Sequence, residues 1–222
     1  MKKIFILLVV AISVSSCSMD EDMFSCDPDV NQWAKSNLTE IRQMSSADFL
    51  EVGDLVYMRA AYNALTPNQR QSLWIEKLEN VLKLDWTEKE GQFIESMLEF
   101  VKTNSFIFSN KRDPKALEKI EIEYYRWEVY AYEELIWDKN LLGAVVGTPQ
   151  NLSENKEIIS NFNISPIVKT RGEDCECKTG SGDFCMDFFT KCCDKSCKEK
   201  PSSCGWFWGQ DCNGVCYNPL FC

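Results

Sequence analysis

The chain has 222 residues, a formal net charge of −10 and no histidine. The negative charge makes nucleic acid and anionic lipid surfaces poor partners for the chain as a whole. Without histidine there is no Ser-His-Asp or Cys-His pair and no imidazole base, and the sequence also lacks a P-loop and a G-x-G-x-x-G loop. We therefore expect no nucleic-acid partner, no cofactor and no enzymatic activity.

Residues 1–16 have the pattern of a bacterial lipoprotein signal peptide. Lys2 and Lys3 precede an apolar run, Ile4 to Val14, that is too short for a stable membrane-spanning helix. The run leads through Val-Ser-Ser to Cys17, which matches a lipobox. The pattern predicts cleavage before Cys17 and acylation of its thiol, so the membrane is an expected partner through the lipid anchor. The alternative is ordinary cleavage that leaves Cys17 as a free thiol.

An acidic tether is predicted over residues 17–27. Asp20, Glu21 and Asp22 resemble the surface-export signals of some Gram-negative lipoproteins, and such a run is also typical of a solvated tether. Both interpretations place the chain outside the cytosol, and we favour the outer leaflet of an outer membrane. If Cys17 is acylated, eleven of the twelve cysteines remain. Because eleven is odd, we expect Cys26 to be a free thiol or to pair between chains.

Residues 28–142 are predicted to form an α-helical bundle. Four capping signals mark helix starts: Asp27-Pro28, Thr66-Pro67-Asn68-Gln69, Thr87-Glu88-Lys89-Glu90 and Asp113-Pro114. A less regular helical stretch over residues 47–65 is interrupted near Gly53, and the last helix is expected to reach about Trp137. Apolar residues at helical spacing follow the starts, among them Val30, Trp33, Leu73, Trp74, Phe93, Ile94, Tyr124 and Trp127. Residues 106–108 are the only candidate strand.

Two pairs of carboxylates, Glu88/Glu90 and Glu133/Glu134, are candidates for glycosidase-like catalysis. They lie at a helix start or on a polar helix face, where solvated acids are normal, which favours no catalytic role. The last long helix is rich in aromatic residues, which we expect to form core rather than a sugar-binding platform: Tyr124, Tyr125, Trp127, Tyr130, Tyr132 and Trp137.

Residues 143–174 are predicted to be a linker. They contain clusters of Gly, Pro, Asn and Ser, few aromatic residues and only scattered apolar ones. A short helix over residues 154–161 is the one element that this stretch could add.

Residues 175–222, here called the tail, hold ten of the twelve cysteines: Cys175, Cys177, Cys185, Cys192, Cys193, Cys197, Cys204, Cys212, Cys216 and Cys222. So short a segment cannot bury enough apolar surface to fold on a core alone. Five disulfides, at about 2–4 kcal/mol each, would offset part of the entropic cost. Zinc is disfavoured because the chain has no C-x2-C pair and no histidine. The vicinal Cys192 and Cys193 should reach different partners, and about 945 pairings are otherwise open.

Two further signals lie within the tail. Asn213-Gly214 tolerates the positive φ of a type I′ turn and predicts a β-hairpin at that point. Trp206, Phe207 and Trp208 are consecutive aromatic residues, which on a strand would alternate between two faces. We expect them to form a binding patch with Trp206 as a partly exposed anchor. The alternative is that Trp206 and Trp208 cover the disulfide core.

The tail resembles fulvocin C, a small disulfide-rich bacteriocin, through Cys175-Glu176-Cys177, Phe184-Cys185, Cys204-Gly205-x-x-Trp208 and Cys212-Asn213-Gly214. The whole chain is similar to the bacteriocin fulvocin C-related family, in which a lipoprotein signal and a helical region precede such a tail. The resemblance implies a common tail fold, a structural role for Trp208 and an antibacterial activity. The tail departs from the bacteriocin in having more cysteines.

Two functions follow from these observations. The first is a lipoprotein that displays a bacteriocin-like tail to neighbouring cells. From Arg171 onward the chain has six basic and eight acidic residues. We therefore expect the tail to act on a specific receptor and not as a cationic membrane-disrupting peptide. The second is a surface binding or adhesion lipoprotein that uses the same fold for another ligand.

Overall fold

A computed structural model describes residues 23–109, 113–159, 175–185, 190–194, 196–218, 220 and 222. Cys17 and the predicted signal peptide lie outside these residues. The chain is mainly helical and ends in a small disulfide-rich β region. Its helices are α1 (Pro28–Ser36), α2 (Leu38–Ile41), α3 (Ser46–Leu50), α4 (Leu55–Ala64), α5 (Pro67–Val81), α6 (Glu88–Thr103), α7 (Pro114–Glu133) and α8 (Lys139–Val146). No helix in the described part of the chain is long and apolar enough to span a bilayer.

The predicted helix starts are confirmed, because each depends on local hydrogen bonds that the sequence specifies. Asp27 accepts from the first-turn amides of α1, and Asp113 caps α7. Thr66 and Thr87 form capping boxes with Gln69 and Glu90.

The interruption predicted near Gly53, within the helical stretch over residues 47–65, is confirmed: α3 ends at Leu50, and Asp54 caps the N-terminus of α4. Two other local predictions need correction. The last long helix ends at Glu133, short of Trp137. Residues 106–108 are not a strand but part of a 3-10 turn, Ser105–Phe108, with Ile107 and Phe108 buried.

The predicted linker does not begin at Gly143. Residues 143–146 complete α8, which Asp138 caps, and Val145 and Val146 are fully buried. The chain stays packed on the core as far as Leu152, which forms a β-bridge with Ile158. The bridge takes the place of the short helix considered from residue 154, of which residues 160 and 161 lie outside the described residues. The apolar run in α8 outweighs the turn-forming residues that follow it.

The described part of the tail contains two separate two-stranded antiparallel sheets. Strand β1 (Lys191–Cys193) pairs with β4 (Val215–Tyr217), and β2 (Lys200–Cys204) pairs with β3 (Gln210–Cys212). The predicted hairpin at Asn213-Gly214 is therefore wrong, since β3 and β4 pair with other strands. A hairpin does occur between β2 and β3, and its loop carries the three consecutive aromatic residues.

Five disulfides connect the ten tail cysteines: Cys175–Cys197, Cys177–Cys192, Cys185–Cys216, Cys193–Cys222 and Cys204–Cys212. The vicinal Cys192 and Cys193 have different partners, as expected. Cys26 is also disulfide-bonded, so the expectation of a free or interchain thiol is wrong for this structure. That expectation rested on setting Cys17 aside for acylation.

Candidate functional site

Trp206, Phe207 and Trp208, here called the hairpin tip, are buried inside the helical region. Their exposed fractions are 0%, 0% and 2%. They form a 3-10 turn in which Phe207 and Trp208 have positive φ angles of 53° and 49°. Because of this tight turn, successive side chains do not alternate between two faces as they would on a strand, and all three rings lie in the core. The predicted exposed binding patch, with Trp206 as its anchor, is therefore wrong.

Each ring of the hairpin tip packs against a different helix. Trp206 stacks on Tyr124 of α7, with ring centroids 5.2 Å apart. Phe207 meets Trp74 of α5 edge-on at 5.5 Å. Trp208 meets Tyr62 of α4 edge-on at 5.2 Å, and the Arg59 guanidinium lies 5.8 Å from its ring. Because three helices converge on one loop of the tail, the loop is part of their common core.

Buried hydrogen bonds fix the hairpin tip in addition to the ring contacts. The Tyr62 hydroxyl donates to the carbonyl of Phe207 at 3.1 Å, and the Trp208 indole nitrogen donates to the carbonyl of Gly147 at 2.8 Å. Both bonds join the tail to the helical region. They satisfy polar groups that would otherwise be costly to bury.

Gln210 connects the base of the hairpin loop to α7. Its side-chain oxygen accepts from the backbone N–H of Trp206 at 2.8 Å, and its nitrogen donates to both carboxylate oxygens of Glu121 at 2.8 Å. The Gln210 oxygen lies against Gly205, which has a φ of 63°, and a Cβ added at residue 205 would collide with the Gln210 side chain. Gly205 is therefore required both by its conformation and by the close approach.

A second buried contact joins β2 to the beginning of the folded chain. The Ser202 hydroxyl donates to the side-chain oxygen of Asn63 at 2.8 Å, and the Asn63 nitrogen donates to the carbonyl of Phe24 at 3.0 Å. Asn63 lies near the end of α4 and is almost fully buried. It therefore holds the N-terminal segment and the tail on the same helix.

A half-buried polar cluster joins α7 and α8 to the tail. Asp183 accepts from Lys139 at 3.1 Å and from the backbone N–H of Cys192 at 3.0 Å. Burial raises the pKa of Glu128, and the nearby Asp183 carboxylate adds to the rise. Burial also raises the pKa of Tyr132, whose hydroxyl lies 3.5 Å from Glu128. The bonds made by Asp183 give this cluster a structural role.

The carboxylate pairs considered for catalysis do not form a site. Glu90 accepts from its own capping residue Thr87 and from the Trp137 indole at 2.7 Å. Partial burial opposes ionisation of Glu90, but these hydrogen bonds outweigh it and lower its pKa. Glu133 and Glu134 are exposed at the end of α7.

Three tail sulfur atoms lie within 4.8 Å of one another, those of Cys177, Cys185 and Cys216. Each is part of a disulfide, so none can supply the thiolate that a metal ion needs. Because the three sulfur atoms are oxidised, they cannot bind a metal ion.

A groove of about 280 Å³ lies between the first turns of α3 and α5, lined by Met44, Ser45, Ser46, Phe49, Leu65, Asn68, Gln69, Ser72 and Leu73. Its lining combines apolar side chains with hydroxyl and amide groups. Among the polar ones, Ser45 and Gln69 are already engaged in capping boxes, with Asp48 and Thr66. The groove is thus a consequence of how two capped helices meet.

Comparison with protein-family models, with curated proteins and with solved structures found no match to this chain. Functional inference therefore rests on the chain itself. Of the residues singled out from the sequence, the ten tail cysteines come together as five disulfides, whereas Trp206, Phe207 and Trp208 form core. The sequence interpretation missed Tyr62, Asn63 and Gln210, whose contacts join segments far apart in the chain.

Proposed function

We propose that this protein is an exported bacterial lipoprotein, anchored in the outer membrane through Cys17, that displays its disulfide-rich tail at the cell surface. The observation that carries the proposal is the set of five disulfides among the ten tail cysteines. Disulfides at this density form and persist outside the reducing cytosol. The signal pattern ending at Cys17 and the resemblance of the tail to fulvocin C support the same function.

The tail and the helical region would be presented at the cell surface as a single folded unit. The hairpin tip lies in the helical core, and Asp183 and Ser202 add polar contacts to the helical region, so the tail is not a freely moving ligand on a tether. A target would therefore meet the outer face of the tail, formed by the β1–β4 ribbon and the residues beside it. Exposed groups of that face include Lys191 on β1 and Asp194 directly after it, which carry both signs of charge.

We propose antibacterial action on neighbouring cells as the first function of this display. The resemblance to a bacteriocin supports it, and the net charge of −10 argues for a specific receptor and against membrane disruption. Surface binding or adhesion is the second candidate. It would use the same outer face of the tail, since the burial of Trp206 removes the predicted aromatic contact from both functions.

Growth assays with the whole folded chain separate the two functions. A Cys17→Ala protein, secreted and purified with its disulfides intact, would be added to cultures of related bacteria. Antibacterial function predicts inhibition that is lost when the same sample is reduced and alkylated. Normal growth at every concentration, together with retention of the labelled protein on washed cells, would favour binding. Normal growth without retention would contradict both functions.

A further inference from the structure

The Lys156 ammonium group lies over the face of the Trp86 indole. Its nitrogen is 4.0 Å from the ring centroid, well inside the range of a cation–π interaction. Two contacts fix the indole independently of Lys156. The Trp86 ring nitrogen donates to the carbonyl of Val81 at 2.7 Å, and the Trp137 ring packs against Trp86 with centroids 5.4 Å apart. The half-buried Trp86 therefore presents a fixed aromatic face to a cation.

A carboxylate, Glu90, interacts electrostatically with the same ammonium group. One Glu90 oxygen accepts from the Trp137 indole at 2.7 Å, and the other accepts from the backbone N–H of Thr87 at 2.9 Å. Partial burial would raise the pKa of Glu90, but the hydrogen bonds from Thr87 and Trp137 lower it, and the positive charge of Lys156 adds to the fall. Glu90 is thus an ionised carboxylate whose position is fixed without Lys156.

Lys156 reaches this position from a tight turn over residues 151–159, here called the Lys156 turn. Leu152 and Ile158 form a β-bridge at its base, and the backbone N–H of Lys156 donates to the carbonyl of Ser153 at 2.9 Å. The φ of Lys156 is 64°, in the left-handed region that favours glycine. The turn therefore holds this lysine in a backbone conformation that lysine disfavours, with its side chain on Trp86.

The Lys156 turn is attached to α5 by contacts that do not involve the ammonium group. Asn80 of α5 donates to the side-chain oxygen of Asn151 at 3.5 Å, and Leu152 is buried in the core. The hydrogen bonds that close the turn are made by backbone groups and by the Ser153 hydroxyl. The Lys156 side chain can therefore leave the indole while the turn stays in place.

We propose that Trp86 and Glu90 form a binding site for an organic ammonium group on a ligand, and that Lys156 occupies this site in cis until the ligand displaces it. An aromatic face beside an ionised carboxylate is the chemistry that recognises such a cation. The net charge of −10 attracts cationic ligands to the protein. Lys156 competes from the same chain at a high effective concentration, so ligands bind more weakly in its presence. All three residues belong to the helical region, so the proposal does not depend on the function proposed for the tail.

NMR of the indole N–H resonances of the oxidised Cys17→Ala protein tests this site. Butylammonium is the probe for a primary amine and tetramethylammonium the probe for a quaternary headgroup, both at matched ionic strength. Lys156→Gly removes the competing ammonium group and adopts the positive φ without strain. Its Trp86 resonance, identified by its loss in Trp86→Leu, should report binding of at least one probe at least about tenfold tighter than in the unmodified chain. Lys83→Gly, which removes an exposed lysine three residues before Trp86, is the matched control and should keep the weaker affinity.

Two further measurements distinguish a cation site from a contact that only fastens the turn. Butanol has the alkyl chain of butylammonium without its charge and should leave the Trp86 resonance unchanged. In the Lys156→Gly protein, Glu90→Gln keeps a capping box with Thr87 but removes the negative charge, and should weaken the binding of either probe. A Lys156→Gly protein that binds neither probe, or that binds them no more tightly than the unmodified chain, would overturn the proposal. An equal response to butanol would overturn it too, because the site would then be merely apolar.

Discussion

The indole of Trp206 lies parallel to the phenol ring of Tyr124, with centroids 5.2 Å apart and planes inclined by 7°. The two residues belong to the tail and to α7, which appear in the sequence as separate regions. Offset stacked rings of this kind contribute about 0.5–1.5 kcal/mol beyond their burial. The contact is one of several that make the tail and the helices a single folding unit.

Trp206→Ala is expected to destabilise the whole protein by about 3–5 kcal/mol, because it leaves a large cavity in a close-packed core. Urea unfolding followed by far-UV circular dichroism measures the change in the free energy of unfolding. Tyr125→Ala removes an exposed ring from the same helix that Trp206 packs against and should cost less than about 0.5 kcal/mol. Equal stabilities of the two variants would contradict the buried position of Trp206.

The Cys204–Cys212 disulfide closes the hairpin loop and should therefore stabilise the helices too. A Cys204→Ser/Cys212→Ser variant should lose about 2–4 kcal/mol of stability, and its helical signal should melt at a lower temperature. From the sequence we would expect the helices to survive loss of the tail disulfides, because the predicted core of the bundle contains no cysteine.

A matched pair for this measurement is Cys193→Ser/Cys222→Ser, since Cys222 is exposed at the end of the chain. This second variant should lower the melting temperature of the helices less than the first. If the helices of the Cys204→Ser/Cys212→Ser variant melt at the same temperature as those of the unmodified protein, the tail and the helical region fold as two independent modules.

The helix starts were predictable because their causes are local. A capping residue such as Thr66 and its partner Gln69 are three positions apart, and proline at the first helical position fixes the backbone between them. The number of tail cysteines likewise predicted disulfides. Which cysteine pairs with which depends on the folded chain and was not predictable.

The position of the hairpin tip was not predictable in this way. Phe207 and Trp208 adopt positive φ angles that aromatic residues rarely take, and the compensating contacts come from Trp74 and Tyr62 in distant helices. The hairpin predicted at Asn213-Gly214 is wrong for a related reason. Asn213 accepts from the backbone N–H of Thr179 at 2.8 Å, and Gly214 forms a β-bridge with Cys177, so long-range pairing replaced the local turn.

Gly205→Ala should destabilise the protein by about 1–3 kcal/mol, because residue 205 has a positive φ and the added methyl would meet Gln210. Gly91→Ala is the control of opposite sign. Gly91 lies inside α6 with open space around it, so alanine there should stabilise the protein by up to about 1 kcal/mol. Thermal unfolding of both variants checks the signs, and a neutral Gly205→Ala would show that the loop can rearrange.

Lys77 should make stability depend on pH. Its side chain is 2% exposed, its nitrogen donates to the carbonyl of Gln150, and burial lowers its pKa from 10.5 to about 7. Between these values the unfolded chain holds the proton and the folded chain does not. Stability from this group therefore rises as pH increases from 7 towards 10.5, with a slope of at most about 1.4 kcal/mol per pH unit.

Urea unfolding of the protein and of Lys77→Met between pH 7 and pH 9 measures this slope. The variant should have a flatter pH dependence than the unmodified chain, whereas Lys89→Met, which changes an exposed lysine on α6, should keep the slope. Identical slopes in all three proteins would mean that Lys77 remains charged when buried.

Acylation of Cys17 predicts that protein extracted from membranes carries the mass of the acyl chains at residue 17. Because several acyl chains give stable anchoring, Cys17→Ala should release the protein completely from the membrane fraction. Mass spectrometry of the wild-type protein and fractionation of both proteins measure these two effects. Wild-type protein that carries no lipid, and that fractionates like Cys17→Ala, would eliminate the lipid anchor.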